Sequence, residues 1–452
     1  MTKDHSRGLR LWLKNPLAVL AEGASGGIVV QGQQIVELVA QGARPKHQPE
    51  QTFDASQHVI LPGLINTHHH FFQTLTRAFL PAMNKSLFPW LTSLYPTWAK
   101  LTPEMIESAS KLAMAELLLS GCTTASDHHY VFPSGLEQAI DIEIAAAQSL
   151  GMRAVFTRGS MSLGQEQGGL APSLVIETED EILADCERLI SCYHQSAEGA
   201  MIQIALAPCS PFSVSKELML ASAELARRHR VRLHTHLAET EDEGQFCKQT
   251  FGMGPVDYLA EVGWMDQDVW LAHGIHFNDG EIRRLGEAGV GVSHCPSSNM
   301  LLGSGVCPVL ALEQAGVPVG IGVDGSASND GSNLIQEARQ ALLLQRLQYG
   351  AERVSHRDVL RWATEGSARC LGRSDIGCVT VGSEADLALF KLDELRFSGA
   401  GDPMAALLFC GASRADRVMV AGQWRVINGR LPRVDLGAEM AHHHQLAKKL
   451  QH

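Results

Sequence analysis

No run of 18 consecutive apolar residues occurs in this chain, so no membrane-spanning helix is expected. The opening residues, Met1 to Gly8, are polar and hold no apolar signal core, so no secretory leader is expected either. Positive charge is in deficit: Lys+Arg 37 stand against Asp+Glu 49, a formal net charge of −12. That balance argues against a nucleic-acid or anionic-membrane partner. Ten cysteines are scattered without a single C-x-x-C pair. The spacing argues against a disulfide scaffold and a cysteine-ligated zinc site, and fits a reduced, cytoplasmic enzyme. No repeat or low-complexity segment is present.

What is present is a chain of 452 residues, 45% of them hydrophobic, which is long enough for one large domain and a smaller one. From about Val59, short β-branched runs alternate with amphipathic ones. Strands are expected at 59–68, 122–128, 152–158, 202–208, 231–237, 269–275, 290–295 and 318–324. Helical patterns lie between them, such as one opening at Thr102-Pro103 and closing at Gly121. Eight strands alternating with helices predict a parallel (β/α)8 barrel, with a doubly wound open sheet as the rival. The two ends read differently, as short strands with glycine turns. The expected arrangement is a small β-sandwich domain built from residues 1–58 and 376–452, with the barrel, residues 59–375, inserted between its halves. The tract His442–His444 falls in a polar segment expected to be a mobile tail.

The polar residues gather at the C-terminal ends of the expected strands, the face on which barrel enzymes carry their sites. The first ends Asn66-Thr67-His68-His69-His70, and in extended chain His68 and His70 share a face. The fifth ends His234-Thr235-His236-Leu237-Ala238-Glu239, the sixth carries His273 and the eighth ends at Asp324. Three imidazoles and a carboxylate so placed suit a borderline divalent metal such as zinc. Taken singly, a His-x-His can be a polar loop, Asp324-Gly325 a turn and Glu239 a solvated carboxylate. Four coincidences in strand order favour a metal site.

The run Leu61-Pro62-Gly63-Leu64-Ile65-Asn66-Thr67-His68-His69-His70 resembles the first-strand signature of the amidohydrolase superfamily. His236-Leu237-Ala238-Glu239, His273, Ser297-Ser298-Asn299 and Asp324-Gly325-Ser326-Ala327-Ser328-Asn329 are similar to its cytosine-, guanine- and adenosine-type deaminase branch. The resemblance spans nearly the whole chain. It implies metal ligands at His68, His70, His236 and Asp324, a general acid/base at Glu239 and a water-orienting His273, with Asp324 also serving in catalysis. Two-metal members carry a bridging lysine at the end of strand 4, where this chain reads Ala207-Pro208-Cys209. One divalent metal is therefore expected, zinc first and iron as the alternative. The implied reaction is hydrolytic removal of ammonia by a metal-activated water.

The spacing His68-x-His70-x-x-Gln73 is similar to guanine deaminases, and an amide at Gln73 matches the N–C=O edge of a base. Trp98 falls where nucleoside-type members carry a ribose-binding Glu, which favours a free base. Cys209-Ser210 replaces an Arg typical of guanine deaminases, which argues against plain guanine. The run Thr67-His68-His69-His70-Phe71-Phe72-Gln73-Thr74-Leu75-Thr76-Arg77 and the stretch Trp90–Trp98 most resemble the bacterial 8-oxoguanine deaminases, implying 8-oxoguanine as a small-molecule substrate. Guanine, isocytosine-like, pterin and alkylamino-triazine rings are the alternatives, and a non-catalytic assembly protein is a remote one. Arg158, His128 and His294 are further pocket candidates. A homodimer or higher homo-oligomer is expected.

Overall fold

The computed structural model describes residues 8–452. Eight parallel strands close a barrel: Leu64–Asn66, Cys122–His129, Arg153–Ser160, Ile202–Pro208, Arg232–Leu237, Val269–His273, Gly291–His294 and Val319–Ile321. Closure is made by Ile321 pairing with Asn66, so the ends of the first and last strands meet. The chain therefore delivers His68–His70 and Asp324 to one spot. This is the expected barrel, not an open sheet.

Two further sheets come from the chain's ends. One has four strands, Arg10–Lys14, Gly27–Gln31, Gln34–Val39 and Gln51–Asp54; the other five, Ala18–Val19, His58–Pro62, Leu387–Lys391, Arg417–Val420 and Gln423–Ile427. Leu13, Ile28, Ile35, Ile60, Leu387 and Met419 share one buried apolar cluster between them. The segment expected as one strand, 59–68, is in fact two. His58–Pro62 pairs antiparallel with Leu387–Lys391, and only Leu64–Asn66 enters the barrel. Gly63 makes the crossing, because a Cβ there would lie 2.1 Å from Thr123 Oγ1. A continuous apolar run carries no mark of where it changes sheets, which is why sequence periodicity missed the break.

The C-terminal tail is not the mobile segment expected. Leu436–Gln451 is an α-helix, capped by Asp435 accepting from the Ala438 N–H. Leu446 and Leu450 are buried, and so is His443, whose Nε2 lies 3.1 Å from Thr74 Oγ1. Gln451 Nε2 donates to the Leu75 carbonyl at 2.7 Å, so this helix braces the turn Phe71–Thr76. The helix Leu87–Trp98 was not among the helical patterns expected, and it runs through Pro89 and Pro96.

Arg153 ties barrel to sheets. It is fully buried at the start of the third barrel strand and donates to Asp386 at 2.9 Å and Glu384 at 3.2 Å, beside Leu387–Lys391. Arg153→Met strands both carboxylates without their cation. The expected outcome is a loss of about 3–5 kcal/mol in unfolding free energy, the range for breaking a buried ion pair. Denaturant titration checks it; a loss under about 1 kcal/mol, the range of a surface pair, would show that the ion pair does not join the domains.

Candidate active site

At the C-terminal mouth of the barrel, the metal-binding character of the side chains is written in their hydrogen bonds. His70 Nδ1 lies 2.6 Å from the His128 carbonyl, and His236 Nδ1 lies 2.6 Å from the Cys209 carbonyl. A carbonyl only accepts, so both rings carry their proton on Nδ1. His68 reaches the same state through a relay. His234 Nδ1 donates to the Trp270 carbonyl at 2.8 Å, which leaves His234 Nε2 to accept from His68 Nδ1 at 2.8 Å. Three Nε2 lone pairs are thereby turned toward one another. His70 Nε2 and His236 Nε2 lie 3.3 Å apart, and Asp324 Oδ1 is 3.4 Å from His68 Nε2 and 3.3 Å from His70 Nε2. His68 Nε2 is buried with no hydrogen-bond partner. Lone pairs facing one another in a dry site repel unless a cation lies between them, and outer partners that fix the ligating nitrogen are what a metal site requires. Burial pushes His68 well below its ordinary range and His236 down to about 3, so both stay neutral donors at pH 7. His69, on the other face of the extended segment, turns away to Ser332 at 2.9 Å. These residues fit a divalent metal.

Glu239 and His273 stand beside this cluster. Ala238, His273 and Asp324 all adopt left-handed backbone, with φ of 54°, 72° and 63°. Such strain in non-glycine residues persists where surrounding contacts enforce it and collects at functional sites. At Ala238 the enforcing group is Glu243, whose carboxylate accepts from the N–H groups of Ala238 at 2.7 Å and Glu239 at 3.2 Å. Glu239 Oε2 lies 3.4 Å from His273 Nε2. Burial, with the Asp324 and Glu243 charges nearby, raises the Glu239 carboxyl well above its usual range. It is poised to carry a proton. Asn299 Nδ2 donates to His273 Nδ1 at 2.9 Å, which leaves the proton on Nε2, and burial lowers His273 to about 4. His273 is thus a neutral donor.

These groups open onto one cavity at the barrel mouth. Gln73, Cys209, Glu239, His273 and Asp324 line it, as do Leu87, Trp90, Leu91 and Tyr95 from the helix Leu87–Trp98. Gln73 is buried; its Nε2 faces Tyr130 Oη at 3.4 Å and its Oε1 accepts from the Ala327 N–H at 3.3 Å. Burial pushes the Cys209 thiol up to about 12, so the pocket sees a neutral SH group.

A match to the amidohydrolase family spans residues 59–425. The chain belongs to the amidohydrolase family. It is 63% identical over 444 residues to the 8-oxoguanine deaminase of Pseudomonas aeruginosa, covering 98% of this chain and 99% of that protein. It is 40% identical over 385 residues to hydroxydechloroatrazine ethylaminohydrolase of Pseudomonas sp. (strain ADP), covering 83% and 79%. The atrazine chlorohydrolase of Arthrobacter aurescens TC1, solved with zinc, superposes with a TM-score of 0.91 at 33% identity, covering 97% of this chain and 100% of that one.

Four of the pocket candidates do not line the cavity of this amidohydrolase. Trp98 is fully buried one layer behind the cavity, packed edge-on against Phe72 and donating from Nε1 to Thr76 at 3.2 Å. It sits on an unexpected helix whose Leu87–Leu91–Tyr95 stripe takes the cavity side. Arg158 turns away into a buried ion-pair cluster with Glu177 and Asp185, each at 2.7 Å, and stacks on Phe132. His294 meets Gln345 at 3.3 Å. His128 stacks on the His236 ring at 4.8 Å, with Nε2 3.0 Å from the Ala207 carbonyl, so it belongs to the histidine cluster with His68, His70 and His236 and does not line the cavity. Sequence reasoning assigned no role to His234, Glu243, Asn299 or Tyr130. The His234-x-His236 alternation and the Glu239–Glu243 spacing were the available signals for two of them.

Proposed function

We infer that this amidohydrolase is a hydrolytic deaminase of free 8-oxoguanine, giving urate and ammonia. The observation that carries the reading is the 63% identity, over nearly the full length of both chains, to a protein of that activity. His68, His70, His236 and Asp324 would hold one divalent cation, zinc first and iron as the alternative. When bound, it supplies Lewis-acid activation of a water molecule beside the amino-bearing ring carbon. Glu239, kept protonated by its surroundings, gives its proton to the ring nitrogen next to that carbon. As a carboxylate it then collects one proton released from the water and passes it to the departing amine, and it takes up the second as the C=O forms, which restores its protonated state. His273 donates from Nε2 to the new oxygen, and Asn299 holds it in that tautomer. The C–NH2 bond breaks, a C=O replaces it, and ammonia leaves.

The expected result with purified protein is equimolar urate and ammonia from 8-oxoguanine, and one equivalent of metal per chain. Chelation should abolish turnover and zinc restore it. Two tightly bound equivalents, or turnover by metal-free protein, would overturn the single-site reading. Gln73→Ala should lower kcat/KM for the base by about 1–3 kcal/mol, the usual cost of an unpaired buried polar group. An unchanged value would remove Gln73 from base recognition.

A further inference from the structure

Tyr130 follows the second barrel strand, Cys122–His129. It is buried, 3% exposed, yet it borders the same cavity as Gln73 and Asp324. Its ring stands edge-on to His70, with centroids 5.0 Å apart at 86°, and packs against Phe72 at 5.6 Å, so the phenol cannot swing away. Its oxygen has one partner among the described residues, Gln73 Nε2 at 3.4 Å, and there it accepts. The hydroxyl proton is unspent. A buried donor left unpaired is costly, so such a group is expected to meet a ligand or water. A phenol, with an ordinary pKa of about 10, keeps that proton at neutral pH.

The neighbouring amide is fixed as well. A Cβ on Gly325 would lie 1.9 Å from Gln73 Oε1, so the amide occupies the space a side chain would fill. Beside the Tyr130 O–H the Gln73 amide therefore carries a second N–H and, on an Oε1 that already accepts from the Ala327 N–H at 3.3 Å, a second lone pair. That set complements a ring N–H beside a carbonyl. Gln73 and Tyr130 follow barrel strands 1 and 2, while Glu239 follows strand 5, diametrically across the barrel from strand 1. A purine with its amino carbon at the metal ligands has two flanking ring nitrogens. With one receiving the Glu239 proton, the other, next to the 6-oxo group, faces Gln73 and Tyr130.

We propose that Tyr130 is a substrate-binding residue that determines specificity: its phenolic hydroxyl donates to the 6-oxo group of the purine, beside the N–H that Gln73 accepts. This rests on the 8-oxoguanine reading. The test is Tyr130→Phe in the full-length, metal-loaded enzyme, with 8-oxoguanine and its analogue lacking the 6-oxygen as substrates. The analogue is followed by kcat/KM or by its inhibition constant against 8-oxoguanine. For 8-oxoguanine the variant should lose about 10- to 100-fold in kcat/KM, the effect of deleting one hydrogen bond in a dry pocket. For the analogue, variant and wild type should agree within about twofold, and metal content should be unchanged. Equal losses on both compounds would make Tyr130 a packing residue, and no loss on 8-oxoguanine would remove it from the contact; either overturns the proposal alone. Wild-type enzyme releasing no ammonia from 8-oxoguanine would overturn the substrate reading and this proposal with it.

Discussion

Glu239→Gln should keep its full complement of metal and lose about 10²–10⁴ in kcat, the range for general acid–base catalysis. The side chain touches no proposed ligand: its near partners are His273 at 3.4 Å and Ser304 at 3.4 Å. An amide of the same shape preserves those contacts and removes the transferable proton. Metal analysis together with steady-state turnover checks the expectation. A drop in kcat smaller than about tenfold would make Glu239 a bystander. A large drop accompanied by metal loss would instead make it part of the metal site.

The second large effect concerns the ring. 8-Oxoguanine should exceed guanine in kcat/KM by a factor on the order of 10⁴, the discrimination a mispaired buried polar group can produce. The oxygen at C8 converts N7 from an acceptor into an N–H donor, so a pocket that pairs with the donor leaves guanine with two acceptors facing each other. Guanosine should fail for a different reason. The carboxylates lining the cavity are Glu239, Glu243 and Asp324, clustered at the metal end, while the helix Leu87–Trp98 offers Leu87, Trp90, Leu91 and Tyr95. Nothing on that wall supplies the acidic acceptor a ribose would need. The measurement is kcat/KM for the three compounds at equal metal loading. Guanine matching 8-oxoguanine would overturn the substrate and leave the deaminase standing. An alkylamino-triazine turned over faster than any purine would move the assignment toward the triazine-acting relative.

The prominence of the site in the sequence has a simple cause. Metal ligands of a barrel fall on strand ends, and strand ends are where periodicity stops and polar residues begin. His68, His70, His236, Glu239, His273 and Asp324 could therefore be read in order, and the structure brings all six to one mouth. Gln73 and Cys209 followed from short spacings to those residues, and both line the cavity. The errors have a different character. Trp98 was placed by its position relative to relatives, but a helix through Pro89 and Pro96 turns it inward. Arg158, expected at the end of a strand, lies two residues before the end of Arg153–Ser160, and Glu177 and Asp185 claim its guanidinium.

By itself, then, the sequence determined the parallel barrel, the two-ended β-domain and the donors that meet at the mouth, because each depends on local period or on a short interval between residues. Tertiary structure alone decided which nitrogen of each imidazole faces the cluster, because that choice is made by carbonyls of His128, Cys209 and Trp270 on other segments. It also decided that Glu243 holds the strained turn before Glu239, and that Tyr130, not Trp98, borders the cavity. Those outcomes depend on which long-range neighbour reaches a polar atom first, and no periodicity along the chain records that.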